Sequence, residues 1–563
     1  MTTRPGGAGS SGPLTTLVLV AVITVVATLT SLIGLRPGHR HGTAGFRAAA
    51  GASPVSGEAA TFTGPAGVVS RAIVAENART GTSAWRISAP NPTGIEGFAD
   101  RVSVAPGGSV RLFVSTQAPL FHVEAYRMGY YRGAGARLVW RSTDLAGRHQ
   151  PPCAPAPGVN MVACDGWKAV TTVRVNAAFV PGDYLLKLIG AGGQRSGAPQ
   201  SSEPRSGVPQ SYVPLTVLDP ASRATYLIKN DVYTWQAWNP YGGYDFYAGL
   251  GACAAGGYPL CSRARVVSFD RPYGYGQGAG DFLSNEYPLV RFAEQRGLDV
   301  TYATDSDVER DPAMVTRHQA LFSLGHDECW SLGEREAAEN ARRHGVNIAF
   351  FAASPMLRHV RLESSAFGPN RQEVDYRDGA ADPLGGRGDP RQVTGNTWSS
   401  PPANWSEVPF VGEAYAGYLE PGRPAAPLVV GPADGWIYRG SGLRAGAIIP
   451  NALGSDFDQF DPGEHPANLQ ILAHSPVPRD GTQTSRAAPY SDMTYYTDPA
   501  GGSGVFDSGV NSWIPDLAPC APDVPACPTA AVSALTANIF ALFGRGPADH
   551  FEPSQANWTR FYR

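Results

Sequence analysis

The sequence predicts an α/β domain, a parallel sheet with helices on both faces, preceded by an all-β, immunoglobulin-like sandwich. Three observations lead to this prediction. Alternating apolar and polar runs fill residues 69–218, whereas strand-like and helix-like runs alternate after Asp219. The 563-residue chain also contains 66 glycines and 49 prolines, a composition that favours turns, short strands and loops over helix bundles.

The runs in residues 69–218 have the period of β-strands. Segments such as FHVEAYRMGYY and GDYLLKLIG alternate between apolar and polar residues and are separated by turn residues. Period-two alternation predicts strands with one buried face, and turns at this spacing are typical of an antiparallel sandwich. Residues 69–218 are therefore predicted to form the sandwich domain.

Residues 219–545 are predicted to form the α/β domain. ATYLIK, LDVTYAT, QALFSLG and VNIAFFAAS are strand-like runs, and YPLVRFAEQRG and SLGEREAAENARRHG have apolar residues at helical spacing. This order predicts a parallel sheet with helices on its faces. From about Asp378 the chain is rich in loops until a final helix, PTAAVSALTANIFALFG, and residues 546–563 form a tail.

An uncharged apolar segment covers residues 14–35. Its length of about 22 residues can span a bilayer. No A-x-A cleavage site follows it, which favours an uncleaved signal-anchor over a removed signal peptide. We expect residues 1–35 to hold a cytoplasmic tip and a transmembrane helix, and residues 36–68 to be a flexible linker. The folded domains would then lie outside the cytosol at the cell membrane, with secretion after cleavage as the alternative.

The cysteines support export, because six of the seven lie in closely spaced pairs. In an oxidising compartment each pair would close a short loop as a disulfide. Zinc half-sites are the alternative interpretation, but no pair has CxxC spacing. The predicted disulfides join Cys153 to Cys164, Cys253 to Cys261, and Cys520 to Cys527, which leaves Cys329 over.

Composition and loop chemistry narrow the class of partner. The net charge of −3 argues against a nucleic-acid partner, since the sequence needs no basic face. Ligands of parallel sheets bind at the carboxyl ends of strands. The first such end continues as NDVYTWQAWNPYGGYDFY, whose aromatic and amide side chains suggest a pocket wall, with packing on the sandwich as the alternative. The candidate pocket residues are Asn230, Asp231, Trp235, Trp238 and Asn239.

His326 and Glu328 follow the strand QALFSLG. Residues two apart on extended backbone point the same way, and a histidine beside a carboxylate suits metal binding or proton transfer. A capping role is the alternative, because Ser331 and Glu334 have capping-box spacing. Cys329 would point away from both His326 and Glu328, which favours a buried thiol over a nucleophile.

Ser354 lies where the strand VNIAFFAAS turns into PMLRHVRLE. This is the place of a nucleophile elbow in α/β hydrolases. The G-x-S-x-G motif is missing, so Ser354 is a candidate nucleophile without the flanking glycines that an elbow needs.

Six motifs follow one another along the chain: TWQAWNPYGGYDFY, VVSFDRPY, GDFLSNEYPLV, VTYATDSDV, SLGHDECWS and VNIAFFAAS. In this order they resemble the catalytic domain of the N,N-dimethylformamidase large (beta) subunit and its exported actinobacterial relatives. The preceding ADRVSVAPGGSV and VEAYRMGYYRGAGARLV resemble the β-sandwich in front of that domain. The resemblance covers about residues 70–545.

The resemblance implies a fold like that of class I glutamine amidotransferases, without the cysteine nucleophile. It also implies a mononuclear iron, held by tyrosine and glutamate, that assists hydrolysis of the C–N bond of a small amide. Tyr247 and Glu328 match the metal ligands, and His326 matches the histidine of the H-x-E-Y-W motif. Asp456 stands in place of the glutamate of G-x-E-x-D. Such oxygen ligands suit ferric iron as a Lewis acid.

The chain departs from the family pattern at further positions. Trp238 stands in the region of the second tyrosine ligand, with Tyr233 as the alternative ligand. Ser354 replaces an asparagine, and Cys329 replaces a tyrosine.

Two hypotheses follow. The first is a membrane-anchored amide hydrolase in which His326 positions or protonates the substrate and Asp456 acts as a base. The second is a cell-surface protein with a metal-free site that binds a glycan or peptide of the cell envelope.

Overall fold

The structure is a computed structural model that describes residues 60–88, 94–191, 207–251, 260–432, 435–520 and 527–562. The described residues pack into one compact unit. The predicted membrane segment, residues 14–35, lies outside them. Among the described residues, no helix combines the length and apolar character needed to cross a bilayer.

Two sheets share a core in the part of the chain before Asp219. Apolar side chains such as Val110, Leu112, Val123 and Leu186 are fully buried between them. The smaller sheet consists of Ala169–Arg174, Ser109–Thr116 and Ile95–Ala99, in that order and antiparallel. The larger sheet consists of Ser103–Val104, Gln210–Val217, Gly182–Ala191, Leu120–Met128 and Ala136–Arg141, with Leu145–Ala146 also paired to Leu120–Met128.

A seven-stranded central sheet is built from the rest of the chain. Five neighbouring strands are parallel: Val300–Thr304, Tyr226–Asn230, Ala320–Ser323, Asn347–Phe350 and Gly504–Asp507. Two further strands, Tyr490–Thr497 and Gln470–Pro476, continue the sheet in antiparallel orientation.

The predicted fold class, a parallel sheet with helices on both faces, is wrong. The central sheet is mixed, and strand residues outnumber helical residues at 32% against 21%. Much of the difference comes from strands between Ala414 and Thr497, within the part from about Asp378 where the sequence showed loops with scattered aromatics. These strands are short and pair across long loops, so no sequence window contains enough alternation to reveal them.

The remaining strands form small sheets. They are Thr61–Gly64 with Gly67–Ser70, Pro155–Ala156 with Met161–Val162, Val266–Ser268 with Gly368–Val374 and Arg361–Ser365, Cys329–Trp330 with Arg358–His359, Asp456–Gln459 with Ala414–Leu419 and Thr482–Thr484, and Ala426–Val429 with Ile448–Leu453. The first hairpin includes residues of the segment predicted as a linker.

The three long helices lie close to their predicted positions. Leu332–Arg343 begins at Ser331, whose side chain accepts a hydrogen bond from the Glu334 backbone N–H as the capping box requires. Thr529–Phe543 packs on the central sheet, where the Phe540 ring lies 4.3 Å from that of Phe322. The described α-helices are Arg71–Asn77, Val232–Ala237, Tyr287–Gln295, Asp305–Arg310, Leu332–Arg343, Val408–Val411 and Thr529–Phe543.

Shorter helical turns complete the described secondary structure. A π-helix spans Phe282–Glu286. The 3₁₀ turns are Tyr131–Gly133, Tyr241–Gly243, Leu260–Ser262, Gly276–Gly278, Pro312–Arg317, Pro390–Gln392, Trp436–Tyr438, Pro515–Leu517, Ala548–His550 and Trp558–Arg560.

Two of the predicted disulfides are confirmed. Cys153 is bonded to Cys164, and Cys520 to Cys527. Cys261 is also disulfide-bonded, and its predicted partner Cys253 lies outside the described residues. The predicted buried thiol is Cys329, which is free and fully buried.

Candidate functional site

Four parallel strands deliver loops to one side of the central sheet. Tyr226–Asn230 leads to Trp238, Ala320–Ser323 to His326, Asn347–Phe350 to Ser354, and Gly504–Asp507 to Asn511. These loops border a cavity of about 720 Å³. The sequence-predicted residues that line it are Trp238, Tyr247, His326, Glu328, Ser354 and Asp456.

The Glu328 carboxylate accepts three hydrogen bonds at the wall of this cavity. Its Oε1 accepts a hydrogen bond from Arg358 Nε at 3.1 Å. Its Oε2 accepts one from Trp238 Nε1 at 3.1 Å and another from the Tyr247 hydroxyl. His326 Nε2 lies 3.6 Å from the same oxygen. Glu328 therefore brings the predicted metal ligand Tyr247 and the predicted catalytic residue His326 to one carboxylate.

The electrostatics keep Glu328 ionised. Burial alone would raise its pKa, but the charges of Arg358, His326 and Arg377 outweigh burial and hold the pKa below its ordinary value. Burial and the negative charge of Glu328 raise the pKa of Tyr247 well above its ordinary value. The ionised Glu328 carboxylate thus accepts a hydrogen bond from the protonated Tyr247 phenol.

The Tyr247 ring is fixed by its neighbours. It stacks on Trp238, with ring centroids 3.6 Å apart and planes inclined by 11°. The Arg377 guanidinium lies 4.3 Å from the ring centroid on a cation–π contact, and the backbone N–H of Tyr247 donates to Asp245. The phenol oxygen therefore has a defined position beside Glu328.

Asp456 lies on another wall of the cavity. Its carboxylate accepts hydrogen bonds from the Tyr415 hydroxyl at 3.2 Å, from Asn511 Nδ2 at 2.8 Å and from the Ser455 hydroxyl at 3.2 Å. Burial raises the pKa of Asp456, the charge of His326 opposes the rise, and that of Glu328 adds to it. A carboxylate with a raised pKa is suited to accept a proton near neutral pH.

Ser354 is held in a tight turn at the floor of the cavity. Its φ is +55°, and its backbone N–H donates to Asp458 at 2.8 Å. The neighbouring Ala353 N–H donates to Asn511 Oδ1 at 2.7 Å. No described residue hydrogen-bonds the Ser354 hydroxyl, so the nucleophile hypothesis gains no base from this geometry.

Four of the predicted pocket residues lie outside the cavity lining. Asn230 donates to Asp183 at 2.5 Å, and Trp235 Nε1 donates to Glu286 at 2.7 Å. Asn239 accepts the backbone N–H of Gly274 at 2.9 Å. These hydrogen bonds join segments of the fold to one another. The segment after Asn230 contributes Trp238 and Tyr247 to the cavity instead. The fourth residue outside the cavity lining is Asp231, which lies among buried charged side chains.

Asp231 belongs to a buried ion cluster. Its carboxylate lies close enough to those of Asp305 and Asp327 for the three to share a cation. The Lys229 ammonium already lies among them, 2.5 Å from Asp305, 2.7 Å from Asp327 and 2.8 Å from Glu334. The chain's own ammonium therefore supplies the positive charge of this cluster.

The donor atoms around Glu328 fit a metal ion. A phenol oxygen from Tyr247, a carboxylate oxygen from Glu328 and the imidazole nitrogen of His326 lie together at the cavity wall. Hard oxygen donors with one imidazole suit iron. The indole of Trp238 cannot serve as a ligand, but a ligating carboxylate oxygen commonly accepts such a second hydrogen bond.

Several residues of the cavity carried no sequence signal that we recognised. Arg358 and Arg377 lie in short strands or loops with no motif, and Asn511 follows a strand that begins as GVFD. Asp281 lies within the quoted motif GDFLSNEYPLV, but no role was predicted for it from the sequence. The cavity lining outside the sequence predictions includes Tyr275, Asp281, Asn285, Arg358, Arg377, Tyr415, Tyr418 and Asn511.

Comparison with known proteins gives one family. A family model described as N,N-dimethylformamidase beta subunit-like, C-terminal, matches residues 122–527, well over half of the chain. The matched range contains every residue named above as a cavity lining. No curated protein matches the chain.

Proposed function

The chain belongs to the N,N-dimethylformamidase beta subunit-like family, and from this we propose that it hydrolyses the C–N bond of an amide in the cavity around Glu328. The family resemblance of the ordered motifs is thereby confirmed. One observation supports the proposal most: three distant segments of the chain bring Tyr247, the pair His326 and Glu328, and Asp456 to one cavity.

We propose iron as the metal, held by Tyr247 and Glu328 with His326 adjacent. A bound ferric ion would supply Lewis acidity toward the amide carbonyl. Arg358 keeps the Glu328 carboxylate charged and oriented through its hydrogen bond to Oε1. The stacked Trp238 fixes the Tyr247 ring.

Asp456 and His326 are proposed to transfer the protons of the reaction. Water adds to the carbonyl carbon as its proton passes to the Asp456 carboxylate. The C–N bond then breaks as His326 donates a proton to the departing nitrogen, so that the products are a carboxylic acid and an amine. Asp456 suits the first role because its pKa is raised, and His326 suits the second because its side chain is partly exposed to the cavity.

We also propose that the protein acts outside the cytosol, anchored by residues 14–35. The disulfides Cys153–Cys164 and Cys520–Cys527 support an oxidising compartment. Protease treatment of intact cells tests this location, since a cytosolic protein would be protected.

The alternative is a cell-surface protein that binds a glycan or peptide without a metal. Trp238 favours this alternative, because its indole N–H takes a position on Glu328 Oε2 where the family is expected to place a second oxygen ligand. Small-molecule amides are the expected partners in the first case and cell-envelope ligands in the second.

Amine release from amides by the purified protein, together with its metal content, tests the proposal. We expect wild type to contain iron and to release amine from N,N-dimethylformamide or a larger N-alkyl amide. Glu328→Gln removes the charge but keeps the shape, so metal and amine release should both be lost. Glu336→Gln is the matched control, since the Glu336 side chain is 50% exposed on the surface.

A metal-free wild type that releases no amine from any amide tested would contradict the proposal and favour the binding protein. Equal amine release by wild type and Glu328→Gln would contradict the role of Glu328 alone.

A further inference from the structure

We propose that the cavity takes amides that carry a positively charged amino group, and that Asp281 and Tyr275 form the subsite for this group. The inference relies on the proposed amide hydrolysis for the reaction at Glu328. Binding of the charged group at the subsite does not require the reaction, and the experiment below measures binding apart from hydrolysis.

Asp281 is the carboxylate of the cavity that lacks a partner. It lines the cavity at the start of the π-helix Phe282–Glu286. Glu328 and Asp456 each accept hydrogen bonds from three neighbours, whereas the Asp281 side chain makes no hydrogen bond or ion pair with any other residue that the structure describes and accepts only from its own backbone N–H. A carboxylate left in this way offers most of its hydrogen-bonding capacity to a ligand.

The two arginines of the cavity pair with carboxylates other than Asp281. Arg358 donates to Glu328, and Arg377 Nε pairs with Asp375 at 2.9 Å. His326 is the one charged side chain that lowers the pKa of Asp281, while burial raises that pKa to about 6. At neutral pH Asp281 is therefore mostly ionised and poorly compensated, so a ligand cation gains attraction that a neutral ligand does not.

An aromatic ring lies beside this carboxylate. Tyr275 is 54% exposed and lines the same cavity. Its ring packs over Gly280, the residue before Asp281, so closely that a Cβ at Gly280 would lie 2.1 Å from Cδ1 of Tyr275. A carboxylate next to an aromatic face is the combination that recognises organic ammonium groups.

The size of the cavity agrees with a substrate that reaches both places. A volume of about 720 Å³ lies in the range of pockets that hold drug-sized ligands. A formamide of a few heavy atoms would leave most of it empty. A longer amide can place its carbonyl at Glu328 and its ammonium at Asp281.

Paired ligands that differ in charge alone test the subsite. N-(aminobutyl)benzamide carries an ammonium where N-pentylbenzamide carries a methyl group. We expect the purified wild-type protein to bind the ammonium compound about tenfold more tightly, measured by calorimetry at neutral pH. Asp281→Asn should bind the two compounds about equally, while its affinity for N-pentylbenzamide stays unchanged. Asp480→Asn is the control, because Asp480 is 91% exposed and distant in sequence.

Each outcome has a definite meaning. Equal binding of the two compounds by wild type, or a preference that survives in Asp281→Asn, would overturn the subsite. The wild-type comparison needs no variant to fold. A tenfold preference without amine release would support the subsite and contradict the proposed hydrolysis. Amine release from both compounds at equal kcat/KM would support the hydrolysis and contradict the subsite.

Discussion

At the scale of single residues, Glu328 shows how one buried carboxylate organises a site. Trp238, Tyr247 and Arg358 come from three other segments and each donates to one of its two oxygens, while His326 lies beside it from the same loop. Its ionised state depends on nearby positive charges, because burial by itself favours the neutral form. The position and the charge of Glu328 are therefore set by its hydrogen-bond partners and the nearby positive charges.

Arg358→Gln should shift the pH dependence of turnover. The Glu328 carboxylate is needed in its charged form, so activity is present above its pKa and lost as pH falls through it. Without the Arg358 charge the pKa of Glu328 rises, and the acidic limb of kcat/KM should move up by about one pH unit. Arg391→Gln, at a surface pair with Glu336, should leave the profile in place. An unshifted acidic limb in Arg358→Gln would contradict the role of Arg358.

Trp238→Tyr should strengthen metal binding. The change offers a second phenol oxygen where the indole N–H now faces Glu328 Oε2. We expect higher iron affinity and a stronger tyrosinate absorption band than in wild type, measured by titration and visible spectroscopy. Trp238→Phe is the control, since it removes the indole N–H without adding an oxygen. Equal iron affinity in the two variants would contradict this account of Trp238.

The sequence revealed much of the site at this scale but missed its charge balance. His326, Glu328 and Ser354 follow strands that were visible as apolar runs, and Tyr247 and Asp456 were identified through the family motifs. Arg358 and Asp281 were missed, because their roles depend on which carboxylates lie near them in space. Pairing of charges between distant segments leaves no periodic pattern in a sequence.

At the scale of elements, the helix Leu332–Arg343 shows what local chemistry determines. Ser331 and Glu334 form the predicted capping box, and the Ser331 hydroxyl also donates to Glu309 at 2.6 Å. The two parallel strands beside this helix were equally visible as apolar runs. By contrast, Ala414–Leu419 and Asp456–Gln459 pair across a long loop, so neither is recognisable without its partner.

Ser331→Ala should lower the free energy of unfolding by about 1 kcal/mol. The change removes the hydroxyl that accepts from the Glu334 backbone N–H and donates to Glu309, and it leaves the Glu334 N–H with Glu309 Oε2, at 3.1 Å, as its remaining acceptor. Urea unfolding measures the loss. Ser533→Ala is the control, because Ser533 lies inside the helix Thr529–Phe543 and alanine is the better helix former there. A loss no larger than in the control would contradict the cap.

At the scale of the whole molecule, buried carboxyl groups set the pH response. Burial raises the pKa of Asp183 to about 7, that of Asp458 to about 8 and that of Asp516 to about 7. Their folded-state pKa values exceed those of the unfolded chain, so the folded state binds more protons between about pH 4 and pH 8. Stability contributed by these groups is thus present at low pH and lost as pH rises through their folded pKa values.

The melting temperature should therefore fall as pH rises from about 5 to about 8. Asp516→Asn should weaken this fall, because Asp516 Oδ2 is buried without a hydrogen-bond partner among the described residues. The stability of the variant relative to wild type should be greater near pH 8 than near pH 5 by at least about 1 kcal/mol. The same stability difference at both pH values would contradict the assignment.

The overall fold class was the prediction that failed, and it failed at this scale. Four of the five parallel strands were recognised from their apolar runs, and Gly504–Asp507 was not. Their sheet, however, is completed by the antiparallel strands Tyr490–Thr497 and Gln470–Pro476 from the far end of the chain. Strand order and direction are properties of long-range pairing, which apolar runs and turns do not encode.

The central claim is that amide hydrolysis takes place at Glu328, and reaction in water labelled with heavy oxygen tests it most directly. Mass spectrometry of the products of N-(aminobutyl)benzamide should show one labelled oxygen in each benzoic acid molecule formed by wild type. Glu328→Gln should form none, and Glu336→Gln should match wild type. Benzoic acid without label, no acid from wild type, or equal labelling by Glu328→Gln would contradict the claim.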